Sequence, residues 1–573
     1  MNERVGPGNK QVITFRQKAE RYIIGVVSLV AFVLLIAENT TFGDAHPVFF
    51  RTVNFGVWFL FIVEVLSHVV TSNDKVAYLR SHWIEGIVFI PLIQYLPGAH
   101  HPGVFSVVRQ VVIAVMLISR IRRARSLVKL LELKPAQLML TGFLAAIGVG
   151  TVLLMLPAAT VSGARMPLID AAFTATSAIC VTGLIVEDTA TYFTLYGQLV
   201  ILALIQIGGL GIMTFSVSLA VLLGKKMGVG QRAALRDALD HDTLAGVRRL
   251  IRFIVLMTFG FELVGGVCLF LSWHGRFDSL PLAIYHSFFH AISAFCNAGF
   301  STFSDSLMQF QHNAGVNVSI CGLIIFGGLG FAVIQGLLGV FRARLGRGPG
   351  NRIRLQMRIV LRMTFFLILV GAALVLLTEW TGQLAGLRTD SRVLSAFFQS
   401  VTARTAGFNT MDIGALSSAT LFLTIVLMFI GASPGSTGGG IKTTTVVCLW
   451  AAVVTSLRNR PHVEMHRRTI PDETVYKAFT VLCLSLGVVI VFTLVLLVTE
   501  TKPFMDVLFE TVSAFGTVGL STGLTSELSS AGRIVIMILM FIGRLGPLTV
   551  TYAMLPTHAR VNYKYAEERI MIG

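Results

Sequence analysis

The residues that could do chemistry fall in four short stretches of one pattern: Val181-Thr182-Gly183-Leu184, Asn297-Ala298-Gly299-Phe300, Thr405-Ala406-Gly407-Phe408 and Thr517-Val518-Gly519-Leu520. Aligned on their glycines, all four carry Phe ten places earlier, at Phe173, Phe289, Phe397 and Phe509. Three carry Ser-Ala at one shared offset. The glycines stand 116, 108 and 112 residues apart (183 to 299 to 407 to 519). Such regular spacing marks a fourfold internal repeat. Glycine adopts backbone angles that other residues avoid, so a segment ending a short helix at Gly can turn consecutive carbonyls toward one axis. Four such segments would make a ring of oxygens able to replace the water shell of a bare cation. The plainer alternative is that each Gly only breaks a helix in a membrane bundle. Recurrence between hydrophobic segments favours the ring.

The elements that must position these stretches are apolar helices. Each repeat reads as an outer helix, a short half-helix ending at the glycine, and a second outer helix. The outer pairs are predicted over Met139–Leu156 and Tyr196–Leu223, Leu250–Leu271 and Val316–Val340, Val360–Leu377 and Ala419–Trp450, and Val475–Val498 and Ile534–Leu555. Four further apolar segments precede them, near Tyr22–Ala37, Asn54–Val70, Trp83–Leu96 and Val104–Ile121, giving twelve spans. The division is 1–132 for the N-terminal part and 133–573 for the rest, with repeats near 133–230, 245–345, 355–460 and 470–573.

Composition fits this. Of 573 residues, 54% are hydrophobic and 13% charged, with mean hydropathy +0.77. Soluble domains carry about 25% charged residues, so the chain reads as an all-α polytopic membrane protein. The net charge of +17 does not point to nucleic acid, because the basic residues sit in short loops between apolar runs. Lys225 and Lys226, Arg342 through Arg362, and Arg458 through Arg468 mark those loops as cytoplasmic. The N-terminus is then cytoplasmic too, and the four glycine stretches face outside. There Glu187, Asp188, Asp305 and Asp412 would concentrate cations, or would be ordinary solvated loop acids. The six cysteines show no metal-binding spacing and read as small buried residues.

A second motif recurs past three of the glycines: Ile207-Gly208-Gly209-Leu210-Gly211, Phe326-Gly327-Gly328-Leu329-Gly330 and Ile542-Gly543-Arg544-Leu545-Gly546. Small residues let membrane helices pack closely. The third repeat departs, with Gly431-Ala432-Ser433-Pro434-Gly435-Ser436-Thr437-Gly438-Gly439-Gly440-Ile441-Lys442. That run cannot stay helical. Irregular backbone at membrane depth survives only where protein shields it or a wet cavity adjoins it. The expectation is a flexible flap below the glycine ring, acting as a gate; a loop wholly outside the membrane is the alternative. Arg544 stands where the other copies have glycine. It would sit in the pore and oppose cation passage, unless it snorkels to the surface. The Gly435–Thr443 run is not a phosphate-binding loop, since Ile441 separates Gly440 from Lys442.

The N-terminal part resembles the voltage-sensor domain of cation channels in Phe61-x-x-Glu64 and in Glu85 within Trp-Ile-Glu-Gly-Ile-Val-Phe-Ile-Pro. Its fourth segment lacks arginines every third residue. After Arg109 the charges gather at Arg120, Arg122, Arg123, Arg125 and Lys129. A positive-inside anchor on a sensor-like scaffold accounts for that distribution equally well.

From about Lys134 onward the sequence resembles the bacterial potassium transporters KtrB and TrkH, relatives of plant HKT transporters. The matching stretches are Phe-Thr-Ala-Thr-Ser-Ala-Ile-Cys-Val-Thr-Gly-Leu, Gln-Ile-Gly-Gly-Leu-Gly, Ser-Pro-Gly-Ser-Thr-Gly-Gly-Gly-Ile-Lys-Thr and Gly-Arg-Leu-Gly-Pro-Leu-Thr. The resemblance implies potassium uptake through a channel-like pore, no enzymatic activity and no covalent cofactor. It also implies sodium as a possible modulator, a homodimer with one pore per subunit, and a cytoplasmic ring of nucleotide-binding RCK-type subunits. Coupling to Na⁺ or H⁺, permeation by Na⁺, and a voltage-responsive protein with a vestigial pore stay open as alternatives.

Overall fold

The computed structural model describes residues 135–224, 244–273, 275–346 and 355–554, and five isolated positions between 52 and 63. Apart from those five positions, the sensor-like domain expected over 1–132 lies outside the described residues. What is described is predominantly helical. In the bilayer's hydrocarbon no water satisfies backbone groups, so apolar sequence must close its hydrogen bonds within the segment, and helices do this.

Copy one contributes α1 (Pro135–Leu154), the short α2 (Leu168–Ile179) and α3 (Leu195–Gly224). Copy two contributes α4 (Leu244–Ser272), α5 (Leu280–Cys296), α6 (Ala314–Leu329) and α7 (Phe331–Arg344). Copy three contributes α8 (Leu355–Thr378), α9 (Thr389–Thr402), α10 (Ser418–Phe429) and α11 (Thr443–Leu457). A hairpin of β1 (Glu464–Met465) and β2 (Arg468–Thr469) follows. Copy four contributes α12 (Asp472–Thr499), α13 (Phe504–Gly516), the single turn α14 (Leu524–Glu527), α15 (Ser530–Leu545) and α16 (Pro547–Met554).

Among the described residues three helices are long and apolar enough to cross a membrane, or five if each bent pair is one span. The bent pairs correct two expectations. Val316–Val340 and Ile534–Leu555 are not continuous: α6 and α7 meet at 102°, and α15 and α16 at 95°. The breaks fall at Gly330 (φ +87°) and Gly546 (φ +84°), a left-handed conformation that glycine takes without steric cost. These are the last glycines of the second motif. In copy one the same motif stays helical, and in copy three the flap replaces it.

The packing order is cyclic. The second outer helix of each copy lies against the short helix of the next: α3 on α5, α6 on α9, α10 on α13, and α15 back on α2. The short helices carry the core. Phe173, Phe289 and Phe509 are fully buried. In copy three the buried ring is Phe398, with Phe397 only half-buried, so the glycine alignment slips by one residue there.

Candidate functional site

The short helices stop before their glycines, not at them. They end at Ile179, Cys296, Thr402 and Gly516, three to five residues short. The intervening residues form a repeated backbone turn. In each copy the residue two before the glycine and the glycine itself have positive φ: Val181 and Gly183, Asn297 and Gly299, Thr405 and Gly407, Thr517 and Gly519. Thr182, Ala298, Ala406 and Val518 between them do not. Alternating the sign of φ reverses successive peptide planes, which brings neighbouring carbonyls to the same side of the strand. Positive φ at a β-branched Val or Thr is strained and persists only where the surroundings impose it. Here the short helix imposes it. Thr182, Ala298 and Val518 donate their amides to Ser177 O, Ser293 O and Ser513 O at 2.7–2.8 Å, and Ala406 donates to Thr402 O at 2.9 Å.

A hydroxyl braces every copy from behind, which explains the shared Ser-Ala. Ser177 Oγ and Ser513 Oγ accept from the amides of Gly183 and Gly519, each at 3.1 Å. In the two copies with Phe after the glycine the bond reverses. Ser293 Oγ donates to Phe300 O at 2.8 Å, and Thr402 Oγ1 to Phe408 O at 2.6 Å.

The four glycines meet in a closed cycle. A Cβ added to Gly183 would press on Ala298 O; on Gly299, on Ala406 O; on Gly407, on Val518 O; on Gly519, on Thr182 O. In each case the added carbon would lie 2.9 Å or less from the oxygen. The sixteen residues singled out in sequence are thus brought together, with Leu184, Phe300, Phe408 and Leu520 buried behind the glycines.

The flap lies directly below. Gly438 abuts the Thr405 side chain and Gly439 the Thr517 side chain, with no room for a Cβ. Ser433, Ser436 and Thr437 are fully buried, so the run is enclosed within the protein. Thr437 Oγ1 donates to Phe295 O at 3.2 Å, Ser433 N to Gly328 O at 3.1 Å, and Phe331 N to Gly435 O at 3.1 Å. Pro434 and Gly435 therefore sit against the α6–α7 bend. Gly431 packs on the Gly439–Gly440 backbone. Lys442 Nζ donates to Gly438 O at 2.7 Å and to Gly439 O at 3.3 Å, folding the flap on itself.

Arg544 does not snorkel. It is buried and donates through Nη1 to Thr437 O and through Nη2 to Gly208 O at 2.9 Å. No ion pair among the described residues includes it. Its charge thus remains without a carboxylate partner next to the flap. The companion glycines Gly208, Gly327 and Gly543 each press on a carbonyl in the last turn of the short helix of their own copy, at Ile179, Phe295 and Phe515. That close approach is the packing role their size suggested.

Of the four outer acids, three serve loop geometry. Asp188 accepts from Ala190 N and Thr191 Oγ1, Asp305 from Gln309 N, and Asp412 from Gly414 N. Burial, and then the neighbouring Asp170, push the Glu187 carboxyl up, against the pull of Arg533. Sequence reasoning missed Arg404, buried beside Thr405, and the Asp170–Arg533 pair that ties α2 to α15. Asn297, singled out with the second glycine stretch, also reaches its neighbours: its amide oxygen accepts from Thr405 Oγ1 at 3.2 Å while its nitrogen donates to Ile324 O and Ala294 O. A one-residue register slip at Thr402 hid the copy-three hydroxyl.

The model of the TrkH family, described as a cation transport protein, matches residues 133–563. The chain belongs to the TrkH family. Among its relatives, Ktr system potassium uptake protein B of Bacillus subtilis is 39% identical over 448 residues, 78% of this chain and 98% of the relative. The protein of that name from Vibrio alginolyticus is 41% identical over 439 residues, 76% of this chain and 94% of the relative. Potassium/sodium uptake protein NtpJ of Enterococcus hirae is 40% identical over 450 residues, 77% of this chain and 98% of the relative. The crystal structure of the potassium transporter TrkH from Vibrio parahaemolyticus has a TM-score of 0.63 at 17% identity, covering 84% of this chain and 97% of that one. For this TrkH-family chain that likeness is one of fold. The N-terminal 132 residues precede the family match.

Proposed function

We propose that the chain takes up potassium across the cell membrane through one channel-like pore, with four helix–short helix–helix repeats around it. The closed cycle of Gly183, Gly299, Gly407 and Gly519, each pressed on its neighbour's carbonyl, carries this reading. Carbonyls held so closely by backbone geometry can stand in for a cation's hydration shell. Relatives named for potassium uptake supply the ion, and one named for potassium and sodium makes Na⁺ a candidate modulator or second permeant.

The flap from Gly431 to Lys442, locked by Arg544, is the gate. It fills the space below Thr405 and Thr517, and the Arg544 charge opposes cations leaving the filter. The N-terminus and the basic loops lie in the cytoplasm, and the filter opens outward. The pore works as a homodimer with RCK-type regulatory subunits below it. Residues 1–132 are a voltage-sensor-like domain by sequence, serving as a positive-inside anchor or as a sensor. The test is Rb⁺ uptake into proteoliposomes of the full chain, with K⁺ inside and Na⁺ varied outside. Uptake without a Na⁺ gradient is expected. Uptake only with inward Na⁺ would make the protein a symporter, and no cation flux with the regulatory subunits added would overturn the reading.

A further inference from the structure

Behind each filter strand the short helix carries one buried polar side chain at an equivalent level. With the one-residue slip in copy three, these are Thr174, His290, Gln399 and Glu510. They behave in two ways. Glu510 is wholly enclosed, and the chain leaving the filter winds round its carboxylate. Ser521 Oγ donates to Oε1, Thr525 Oγ1 donates to Oε2 at 3.0 Å, and the amides of Thr522 and Thr525 bond it as well. His290 is equally enclosed. Its Nδ1 faces His286 O at 2.8 Å, so that nitrogen carries the proton. Its Nε2, 3.0 Å from Ser301 Oγ, is left to accept. Ser301 Oγ in turn accepts from Phe303 N at 3.0 Å.

The chemistry is the same in both copies. Ser301 and Ser521 each stand two residues beyond a filter glycine, and each hydroxyl is held by an acceptor buried in the short helix. Ile185 and Asn409 occupy that place in the other two copies. There the Thr174 hydroxyl and both amide atoms of Gln399 make no hydrogen bond among the described residues. In the cycle, Gly299 and Gly519 lie across from one another, as do Gly183 and Gly407. The residue two beyond the glycine is therefore tied to its own short helix on one diagonal only; on the other, Asn409 bonds the copy-two loop instead, its amide donating to Ser306 Oγ at 3.3 Å and its carbonyl accepting from Leu307 N at 3.1 Å.

We infer that Glu510 and His290 are positioning residues that hold the outer lip of the filter on that diagonal, through Ser521 and Ser301, and so set the affinity for the permeating cation. The inference rests on the pore reading above. A strand leaving the filter with its first polar side chain tied back cannot swing away from the axis, so its carbonyls keep one distance from the ion. On the other diagonal no hydrogen bond among the described residues ties Ile185 or Asn409 to its own short helix, so the lip there does not depend on Thr174 or Gln399.

The test is the Rb⁺ dependence of thermal unfolding of the purified full chain, which gives an apparent Kd, together with the KM and maximal rate of Rb⁺ uptake in proteoliposomes. Ser521→Ala and Ser301→Ala remove one hydroxyl each without changing the core. Each is expected to raise Kd and KM about fivefold, the factor one hydrogen bond carries, with the maximal rate changed less. Glu510→Gln keeps an acceptor oxygen and should stay within about twofold of the parent, whereas Glu510→Leu should exceed the Ser521→Ala effect. Thr174→Val, on the other diagonal, should leave Kd unchanged. A purely structural role would lower the unfolding midpoint and spare Kd. Wild-type Kd in both serine variants, or an equal loss in Thr174→Val, overturns the brace while leaving the pore intact. A parent chain with neither Rb⁺ protection nor uptake overturns the pore reading and the brace with it.

Discussion

Arg544 donates to the carbonyl of Gly208 at 2.9 Å, so the second outer helix of the last copy, α15, holds that of the first, α3. The other arm of the same guanidinium holds Thr437 of the flap. One side chain thus spans three copies, and it bonds carbonyls, leaving its charge unneutralised. Replacing Arg544 with Met frees both carbonyls and removes the charge. Charge-assisted bonds of this kind contribute about 1.5–3 kcal/mol each. Basal Rb⁺ leak should rise on the order of tenfold, an increase worth about 1.4 kcal/mol. Leak no greater than the parent's would detach Arg544 from gating.

The flap's own glycines give an independent handle. A methyl group at Gly439 would meet Thr517 Oγ1 and Gly516 O, so Gly439→Ala should unseat the flap. Deleting 435–440 should do so completely. Both are expected to raise leak in liposome flux assays, the deletion more. A silent deletion would place the barrier elsewhere.

Filter substitution should act on selectivity. Gly183 has φ +94° and faces Ala298 O. A serine there must displace the neighbouring strand or bring its hydroxyl into the ring. Competition between Rb⁺ and Na⁺ uptake should shift toward Na⁺ by roughly tenfold, about 1.4 kcal/mol of differential binding. An unchanged ratio would sink the filter assignment.

Glu379 sits just past α8 and caps the next outer helix. Its Oε1 accepts from Thr420 Oγ1 at 2.6 Å and from Ser417 Oγ and N at 2.8 and 2.9 Å. Burial raises its pKa, but those bonds outweigh burial and hold it below 4.5. A depressed folded-state value means the stabilisation is complete above the unfolded value. It is lost as pH falls through the folded one. The thermal midpoint of the parent should drop on acidification below about pH 4.5 more steeply than that of Glu379→Gln. Glu379→Ala should cost about 1–3 kcal/mol at neutral pH. Parallel acid profiles for parent and Gln variant would refute the cap.

Much of this was legible in sequence because glycine leaves a mark. The four ring glycines, the flap and the arginine in a glycine's place all break a local rule, and each proved to be a point of close approach. What stayed hidden depends on partners distant in the chain. Gly330 and Gly546 read like Gly211, yet only those two bend a helix, because the surrounding packing decides whether a glycine's freedom is used. Glu510 and His290 look unrelated until Ser521 and Ser301 are seen to meet them. The copy-three slip at Phe398 and Thr402 could not be found by aligning glycines alone.

The cyclic packing carries a consequence for biosynthesis. Gly519, near the chain's end, presses on Thr182 near the start of the pore part, and Arg533 pairs with Asp170. The ring is a bracelet whose clasp is translated last. A three-copy fragment on the ribosome lacks one side of the ring, so the pore proposed above can close around its axis only when synthesis is nearly done.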